Sequence, residues 1–350
     1  MKRQTNPHII VKMRPKDQNK RDHKYFQYIR QSLHGNVEAK LYVGDSKSMS
    51  EIEDNFITLT VTSPPYWNAI DYDTFAQDPK SNFRTRKYGT GFSKNDYESY
   101  LLWLCEIFDE VLRVTRPGGY LAIVIGTVLL KGKLYPIPFD LTSLLSRRGW
   151  EFHQDIIWHK VTAGVKRAGL FIQRPYPGYY RPNIMNEYIL IFRKPGEPIY
   201  RTIEPNQMKT ATVPIDELFV QEIANNVWHI APVPPGVIKH PAPFPEEIPS
   251  RLIQLYAYPG DWVLDPFLGS GQTVKAALHL GRNAIGYDLI PSYVEYAYHR
   301  LNEPPGLRSH QLVARFVKIP FGAIRGYLRR QRSNRTRHGS GPRKSKTAHA

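Results

Sequence analysis

The chain is nearly free of cysteine, since Cys105 is the only one in 350 residues. A single thiol cannot form an internal disulfide, so a disulfide-stabilised scaffold is excluded. No group of cysteines and histidines has the spacing of a zinc site either. Cys105 lies in an apolar run with helical spacing, residues 101–108, which predicts a buried structural thiol rather than a nucleophile.

Long hydrophobic runs are also missing. No segment approaches the length of a membrane span, and the first residues are polar and charged where a secretory signal would continue into an apolar core. We therefore expect a cytoplasmic protein without membrane contact. The length is sufficient for one large α/β domain with a substantial core.

Acidic residues are absent from residues 321–350, which contain nine Lys or Arg, and scarce in residues 1–40, which contain ten Lys or Arg and three Asp or Glu. These ends carry charges of +9 and +7 out of +17, so the residues between them are nearly neutral. Basic ends favour attraction to phosphate that does not depend on sequence. Solvated tails explain each end at least as well, and residues 329–350 are not expected to fold.

The first informative motif is Ser-Pro-Pro-Tyr at residues 63–66. It follows the apolar run 56–61, which predicts a buried strand with the motif at its C-terminal end. Alone, such a motif is better explained as a turn.

The second motif is a strand, a glycine turn and a helix. Residues 262–264 predict the strand, Gly269 and Gly271 permit a tight turn, and residues 274–280 continue as a helix. The next strand ends at Asp288, nineteen residues after Gly269, a spacing at which a carboxylate reaches ribose hydroxyls. This predicts a nucleoside site. The glycine fingerprint of NAD-binding proteins would place a third glycine at position 274, where this chain has Val274, so NAD is disfavoured.

Ligands of open α/β sheets bind beyond the carboxyl ends of the strands. Two such ends could therefore hold a cofactor and a reacting group side by side. That arrangement predicts a transferase.

The order of the two motifs, with His240 to Pro245 just before the glycine turn, resembles the β class of amino-methylating, S-adenosylmethionine-dependent DNA methyltransferases from about residue 40 to residue 301. The resemblance implies a Rossmann-like, doubly wound, mostly parallel sheet of the class I methyltransferase type with a small target-recognition insert. In that family Ser in the first motif is usual for cytosine-N4 enzymes, and Asp or Asn for adenine-N6 enzymes.

The resemblance, together with the charge pattern at the two ends that it does not cover, divides the chain. The expected parts are a basic flexible segment (1–38), a catalytic half (39–194), a target-recognition region (195–238), an S-adenosylmethionine-binding half (239–303) and a basic extension that is disordered at its end (304–350).

It further implies a set of cofactor-binding residues. Those expected around the methionine end are Asp265, Phe267, Gly269, Ser270, Gly271 and Thr273. Asp288 is expected to bind the ribose, Asp45 to approach the adenine, and His240, Pro241 and Phe244 to form another wall, for which a Pro-rich linker is the alternative. Gln272 stands where many relatives have Thr.

The Ser-Pro-Pro-Tyr motif fits methylation of an exocyclic amine. The Ser63 hydroxyl and the Pro64 carbonyl could accept the two amino hydrogens, and Pro65 helps to keep the backbone rigid. Tyr66 could stack on a base flipped out of the duplex. Trp67 could extend that platform or belong to the core.

A segment of cations and aromatic rings between residues 160 and 183 is predicted to contact DNA. Its members are Lys166, Arg167, Arg174, Tyr179 and Arg181. Cations can bind phosphates while rings stack on exposed bases. A basic surface loop is an equally good explanation.

The sequence thus predicts a site-specific, nucleoid-associated DNA methyltransferase that acts on cytosine N4, with double-stranded DNA as its partner and a cognate restriction endonuclease as a further candidate partner. Adenine-N6 methylation by the same architecture, RNA methylation, and a non-catalytic nucleic-acid-binding protein are the alternatives. No metal is expected. The oligomeric state is left open.

Overall fold

The computed structural model describes residues 9–10, 25–32, 35–67, 97–130, 132–160, 177–178, 184–211, 213, 222–234, 236–240 and 243–306. All of them belong to one compact unit, Met1–Gly306. The segment predicted to contact DNA, with Lys166, Arg167, Arg174, Tyr179 and Arg181, lies outside the described residues, as do Pro241 and residues 307–350.

The described residues form twelve strands. They are β1 (Ile9–Ile10), β2 (Tyr25–Ser32), β3 (Gly35–Val43), β4 (Ile57–Thr62), β5 (Thr115–Ile125), β6 (Val128–Leu130), β7 (Lys133–Tyr135), β8 (Glu151–Lys160), β9 (Asn186–Arg193), β10 (Val227–Ile230), β11 (Trp262–Asp265) and β12 (Asn283–Asp288). Ten form one sheet in the order β1-β2-β3-β12-β11-β4-β5-β9-β8-β10, and β6 pairs with β7.

Six α-helices occur among the same residues. They are α1 (Tyr97–Val114), α2 (Ile137–Ser146), α3 (Pro205–Ala211), α4 (Glu247–Tyr256), α5 (Gln272–His279) and α6 (Pro291–Arg300), together with a 3-10 turn at Ile199–Arg201.

The centre of the sheet is parallel. Strands β3, β12, β11, β4 and β5 run in one direction, while β9 is antiparallel to both β5 and β8. Strand β12 follows β11 on one side and β5 follows β4 on the other, so the winding of the sheet reverses between β11 and β4. Such a reversal point is where ligands bind in open α/β sheets. The predicted mostly parallel α/β fold is confirmed.

Both faces of the sheet are covered. On β5, Ala122 and Val124 pack into a core shared with α4, α5 and α6, while Leu121 and Ile123 pack into a second core with α1 and α2. Successive side chains of a strand point to opposite faces, so a strand covered on both sides is apolar throughout. The near-continuous apolar run in this strand has that physical origin.

The predicted target-recognition region is described in part. Residues 195–238 contain the 3-10 turn, α3 and β10, and β10 pairs in parallel with β8 at the edge of the sheet. The region therefore contributes one strand to the main sheet. Its role stays a prediction. Among the described residues, no helix combines the length and apolar character needed to span a membrane.

Candidate active site

The two motifs meet at the reversal point of the sheet. Strand β11 pairs with β4 through Val263 opposite Leu59 and Leu264 opposite Thr60. Just beyond this pairing the Thr62 hydroxyl donates a hydrogen bond to Asp265 Oδ1 at 2.7 Å, between residues 203 positions apart in the sequence. The ends of the two strands thus form one continuous edge.

A second hydrogen bond ties the same elements together. Thr273, in the first turn of α5, is fully buried and donates from its hydroxyl to the carbonyl oxygen of Val61 at 3.2 Å. The helix that follows the glycine turn is therefore anchored to the strand that carries the Ser-Pro-Pro-Tyr motif.

The glycine turn requires its glycines. Gly269 and Gly271 have φ angles of +47° and +78°, in the left-handed region that favours glycine. A Cβ atom on Gly269 would lie 2.9 Å from His240 Nε2, and one on Gly271 would lie 2.8 Å from the Ala297 Cβ atom. A side chain at either position would displace a wall of the turn.

Asp288 lies against this turn. Its Oδ2 accepts a hydrogen bond from the Gly269 amide and its Oδ1 accepts one from the Ile290 amide, both at 2.9 Å. Val43 is opposite Asp288 on β3, and Asp45 follows with an exposed side chain that accepts from the Lys47 amide. Both carboxylates are therefore at neighbouring strand ends.

Burial raises the pKa values of the two inner carboxyls. The side chain of Asp265 is enclosed, which raises its pKa to about 6 although the neighbouring hydroxyls of Thr62 and Thr273 and the Phe267 amide favour the charged form. Burial likewise raises the pKa of Asp288 to about 6, although hydrogen bonds from backbone amides, among them those of Ile290 and Gly269, favour the charged form. A carboxyl in such an environment changes charge close to neutral pH.

The segment before α4 forms one wall of the turn. The His240 ring packs edge to face against Tyr293 at 5.0 Å, in addition to its approach to Gly269. The Gln272 side-chain amide donates to the carbonyl oxygen of Phe244 at 3.0 Å. Gln272 therefore holds this segment against the glycine turn.

Two further residues of the predicted cofactor set, Ser270 and Phe267, are also at this edge. Ser270 is buried, and its carbonyl oxygen accepts a hydrogen bond from Arg300 Nη1 at 2.7 Å. Phe267 donates its amide to Asp265 Oδ1 at 3.1 Å and packs against Trp103 at 5.7 Å. Arg300 had no signal in the sequence, because its position on α6 resembles that of any basic residue in the last turn of a helix.

The Ser-Pro-Pro-Tyr motif presents its two ends and buries its middle. Ser63 and Tyr66 are partly exposed, whereas Pro64 and Pro65 are buried. The Tyr100 hydroxyl, from α1, donates to the Pro65 carbonyl oxygen at 3.0 Å. The hydrogen bond from α1 therefore holds the backbone of the motif in place.

Trp67 belongs to the core. Its side chain is buried and packs against Tyr135 at 4.4 Å and Tyr97 at 5.2 Å. Of the two roles that the sequence left open for Trp67, the structure supports packing.

Cys105 is also buried, on α1, and burial raises its thiol pKa to about 11. A protonated, enclosed thiol is inert, as predicted. Within the described part of the chain no group of three or more His, Cys, Asp or Glu side chains is arranged to hold a metal ion.

Comparisons with known proteins agree with this geometry. The model of a family of N6 and N4 methyltransferases, described as DNA methylase, matches residues 57–299. The chain is 32% identical over 298 residues to the type II methyltransferase M.MthZI of Methanothermobacter thermautotrophicus, a match covering 82% of each chain. It is 32% identical over 273 residues to the type II methyltransferase M.MjaI of Methanocaldococcus jannaschii, covering 71% of this chain and 86% of that protein.

Solved structures share the fold. The Thermus thermophilus protein TTHA0409, crystallised with S-adenosyl-L-methionine, has a TM-score of 0.57 and 31% identity, covering 75% of this chain and 93% of its own. PvuII DNA methyltransferase, named as cytosine-N4-specific, has a TM-score of 0.55 over 79% of this chain and 90% of its own, and at 19% identity this similarity concerns the fold alone. Together with the meeting of the two motifs at β4 and β11, these similarities mean that the chain belongs to the DNA methylase family of N6 and N4 methyltransferases.

Proposed function

We propose that the protein is a site-specific DNA methyltransferase that transfers a methyl group from S-adenosylmethionine to the N4 amine of cytosine, as part of a restriction-modification system. The contact between Thr62 and Asp265 carries the proposal, because it holds the glycine turn and the Ser-Pro-Pro-Tyr motif at one edge. The relatives named type II methyltransferases support a role in modification.

The glycine turn fits the cofactor. Its glycines allow a tight turn against which His240 and Ala297 pack closely, and Asp288 is bound to the turn where a ribose would be expected. Asp288 would hold the ribose, Asp45 the adenine side, and Asp265 would provide negative charge near the sulfonium. When bound, the cofactor supplies a methyl group that its sulfonium already activates, so the chemistry requires neither a metal nor a covalent enzyme intermediate.

The Ser-Pro-Pro-Tyr motif would orient the amine. The lone pair of an exocyclic amine is delocalised into its ring, so acceptors that bind the two amino hydrogens can direct that lone pair towards the methyl group. The Ser63 hydroxyl and the Pro64 carbonyl would be these acceptors, and Ser63 would relay a proton. Tyr66 would stack on the base, which must leave the duplex because its amine is otherwise inaccessible.

Serine at position 63 favours cytosine through the family resemblance. Adenine N6 is the alternative within the same architecture, and product analysis separates the two.

The test is radiolabelled methyl transfer to mixed-sequence DNA, followed by nucleoside identification and mapping of the modified site. We expect N4-methylcytosine with the wild-type protein. Ser63→Ala and Tyr66→Ala should each lower transfer by about a hundredfold or more, while calorimetry shows S-adenosylmethionine binding largely retained.

Phe152→Ala is the matched control. Phe152 is 45% exposed at the start of β8, the end of that strand opposite to the edge where the two motifs meet. Its removal should leave transfer unchanged. Full activity in both Ser63→Ala and Tyr66→Ala would show that the motif is not catalytic. N6-methyladenine as the product would show that the target base is adenine and not cytosine.

A further inference from the structure

An ion pair lies beside the Ser-Pro-Pro-Tyr motif. Lys160 Nζ, at the end of β8, contacts Glu187 Oε1, at the start of β9. Strand β9 is antiparallel to β5 and β8, so its first residues lie at the edge where those two strands end. The pair is therefore on the same edge as Ser63 and Tyr66.

The ion pair is close to the Ser-Pro-Pro-Tyr motif, as the surroundings of Gly126 show. This glycine follows the last residue of β5, and a Cβ atom added there would lie 3.1 Å from Glu187 Cγ and 3.8 Å from Tyr66 Cε2. Glu187 and Tyr66 thus flank the same glycine. The absence of a side chain at position 126 leaves room between the carboxylate and the ring.

Stability is a weak reason for an ion pair in this position. Glu187 has a side chain only 12% exposed, and removing charges from water offsets most of the attraction between them. Lys160 is 28% exposed and also lies 4.9 Å from the Trp158 ring. The Glu187 side chain is thus more enclosed than that of Lys160, as in a donor held in place by a buried partner.

We propose that Lys160, aimed by Glu187, donates a hydrogen bond to the ring nitrogen next to the amine of the flipped target base. An ammonium has three donors, of which one is directed to Glu187. Cytosine N3 and adenine N1 are both acceptors adjacent to the exocyclic amine, so the same contact serves either base. The inference rests on the proposed function, since a base must dock on Tyr66.

Charge balance favours a pair over a lysine alone. During transfer the positive charge of the sulfonium passes to the amine, and an isolated ammonium nearby would oppose it. Glu187 makes the pair neutral. Lys160 is then a base-binding residue and Glu187 a positioning residue.

The experiment combines a protein change with a base change. In the duplex site mapped by the transfer assay, the target base is replaced by its analogue with C–H in place of the ring nitrogen, 3-deazacytosine or, if adenine is the product, 1-deazaadenine. The ratio of kcat/KM for the natural and deaza duplexes is measured with the full-length protein. The analogue alters the basicity of the amine in every variant equally, so differences between variants report the contact.

We expect the deaza base to lower kcat/KM by about ten- to a hundredfold with wild type, as for loss of a hydrogen bond to a charged group. With Lys160→Met the deaza penalty should fall to about threefold or less, and Lys160→Arg should retain much of it. Glu187→Gln should give an intermediate penalty. Lys160→Ala, which also lacks a donor, serves as the second variant if Lys160→Met does not fold.

Lys194→Met is the matched control. Lys194 follows the opposite end of β9, is also partly buried, and donates to Asn55 Oδ1 and the Leu112 carbonyl oxygen. This variant should keep the wild-type penalty. An undiminished penalty in a folded Lys160→Met or Lys160→Ala protein overturns the inference. Failure of the proposed function would be visible separately, as absence of a methylated nucleoside with wild type.

Discussion

Replacing Thr62 with Val should destabilise the protein in a manner that depends on pH. The substitution keeps the branched shape but removes the hydroxyl that donates to Asp265 Oδ1 at 2.7 Å. Asp265 is 1% exposed, so water cannot replace the lost donor without a rearrangement. The Phe267 amide remains as a donor to the carboxyl group, whereas the Thr273 hydroxyl donates its proton to the Val61 carbonyl oxygen.

The sign of the pH dependence follows from the pKa of Asp265. Burial raises it in the folded protein from 3.8 to about 6. Between these values the folded state holds a proton that the unfolded state has released, so this carboxyl favours folding at low pH and the benefit is lost as the pH rises through 6. Without the Thr62 hydroxyl the charged form is less favoured and the pKa rises further.

The magnitude depends on the charge of the acceptor. At pH 8 Asp265 is ionised, and a hydrogen bond to a charged group contributes about 1.5–3 kcal/mol to the free energy of unfolding. At pH 5 the carboxyl is mostly protonated, and a neutral hydrogen bond contributes about 0.5–1.5 kcal/mol. Thr62→Val should therefore lose about 1 kcal/mol or more of additional stability at pH 8.

Urea unfolding of the full-length protein at pH 5 and pH 8 measures this difference. Thr115→Val is the matched control, because the Thr115 hydroxyl is equally buried but donates to the neutral carbonyl of Val111 at 2.7 Å. Its loss of stability should be the same at both pH values, and Thr62→Ser should resemble wild type. An equal loss for Thr62→Val at pH 5 and pH 8 would refute the reasoning.

Two further predictions concern the glycine turn and the single thiol. Gly269→Ala should weaken S-adenosylmethionine binding in calorimetry by about tenfold or more, because its Cβ atom would meet His240 Nε2 at 2.9 Å. Gly236→Ala, with a φ of +81° but no atom within 4 Å of its Cβ position, should leave cofactor affinity unchanged, and equal loss in both would contradict the contact argument. Cys105, with a pKa raised to about 11 by burial, should resist a thiol reagent in the native protein and react after unfolding in urea. Rapid native labelling would contradict its burial.

Local patterns predicted most elements well. The apolar run at residues 101–108 predicted a helix, which extends over residues 97–114, and the strand predicted to end at Asp288 does end there, because helical and strand periodicities are strong in these segments. The apolar run at residues 120–125 alone indicates a strand of those bounds, but the strand begins at Thr115. Gly118 and Gly119, a pair typical of a turn, instead bond to the backbone of Lys194, whose amide donates to the Gly119 carbonyl oxygen and whose carbonyl oxygen accepts from the Gly118 amide.

Contacts between distant parts of the chain were harder to predict. Strand β10 lies in a Pro-rich stretch with weak periodicity, and only the structure shows that this stretch pairs with β8 and buries Trp228. Gln272 stands where many relatives have Thr, and only the structure shows that its side-chain amide binds the Phe244 carbonyl. The motif order predicted that the two sites share an edge, but no local signal indicated that Thr62 would join them.

The position of β4 between β11 and β5 has a consequence for synthesis on the ribosome. The strand is buried on both faces, yet one of its two neighbours begins only at Trp262. Until the nascent chain has passed that point, one side of β4 lacks its ladder partner, and pairing across so many residues is slow because a long loop must close first. A growing polypeptide therefore contains every residue of the Ser-Pro-Pro-Tyr loop well before it can hold a methyl donor beside that loop. The ability to methylate arises in a single step late in synthesis, once β11 has paired with β4.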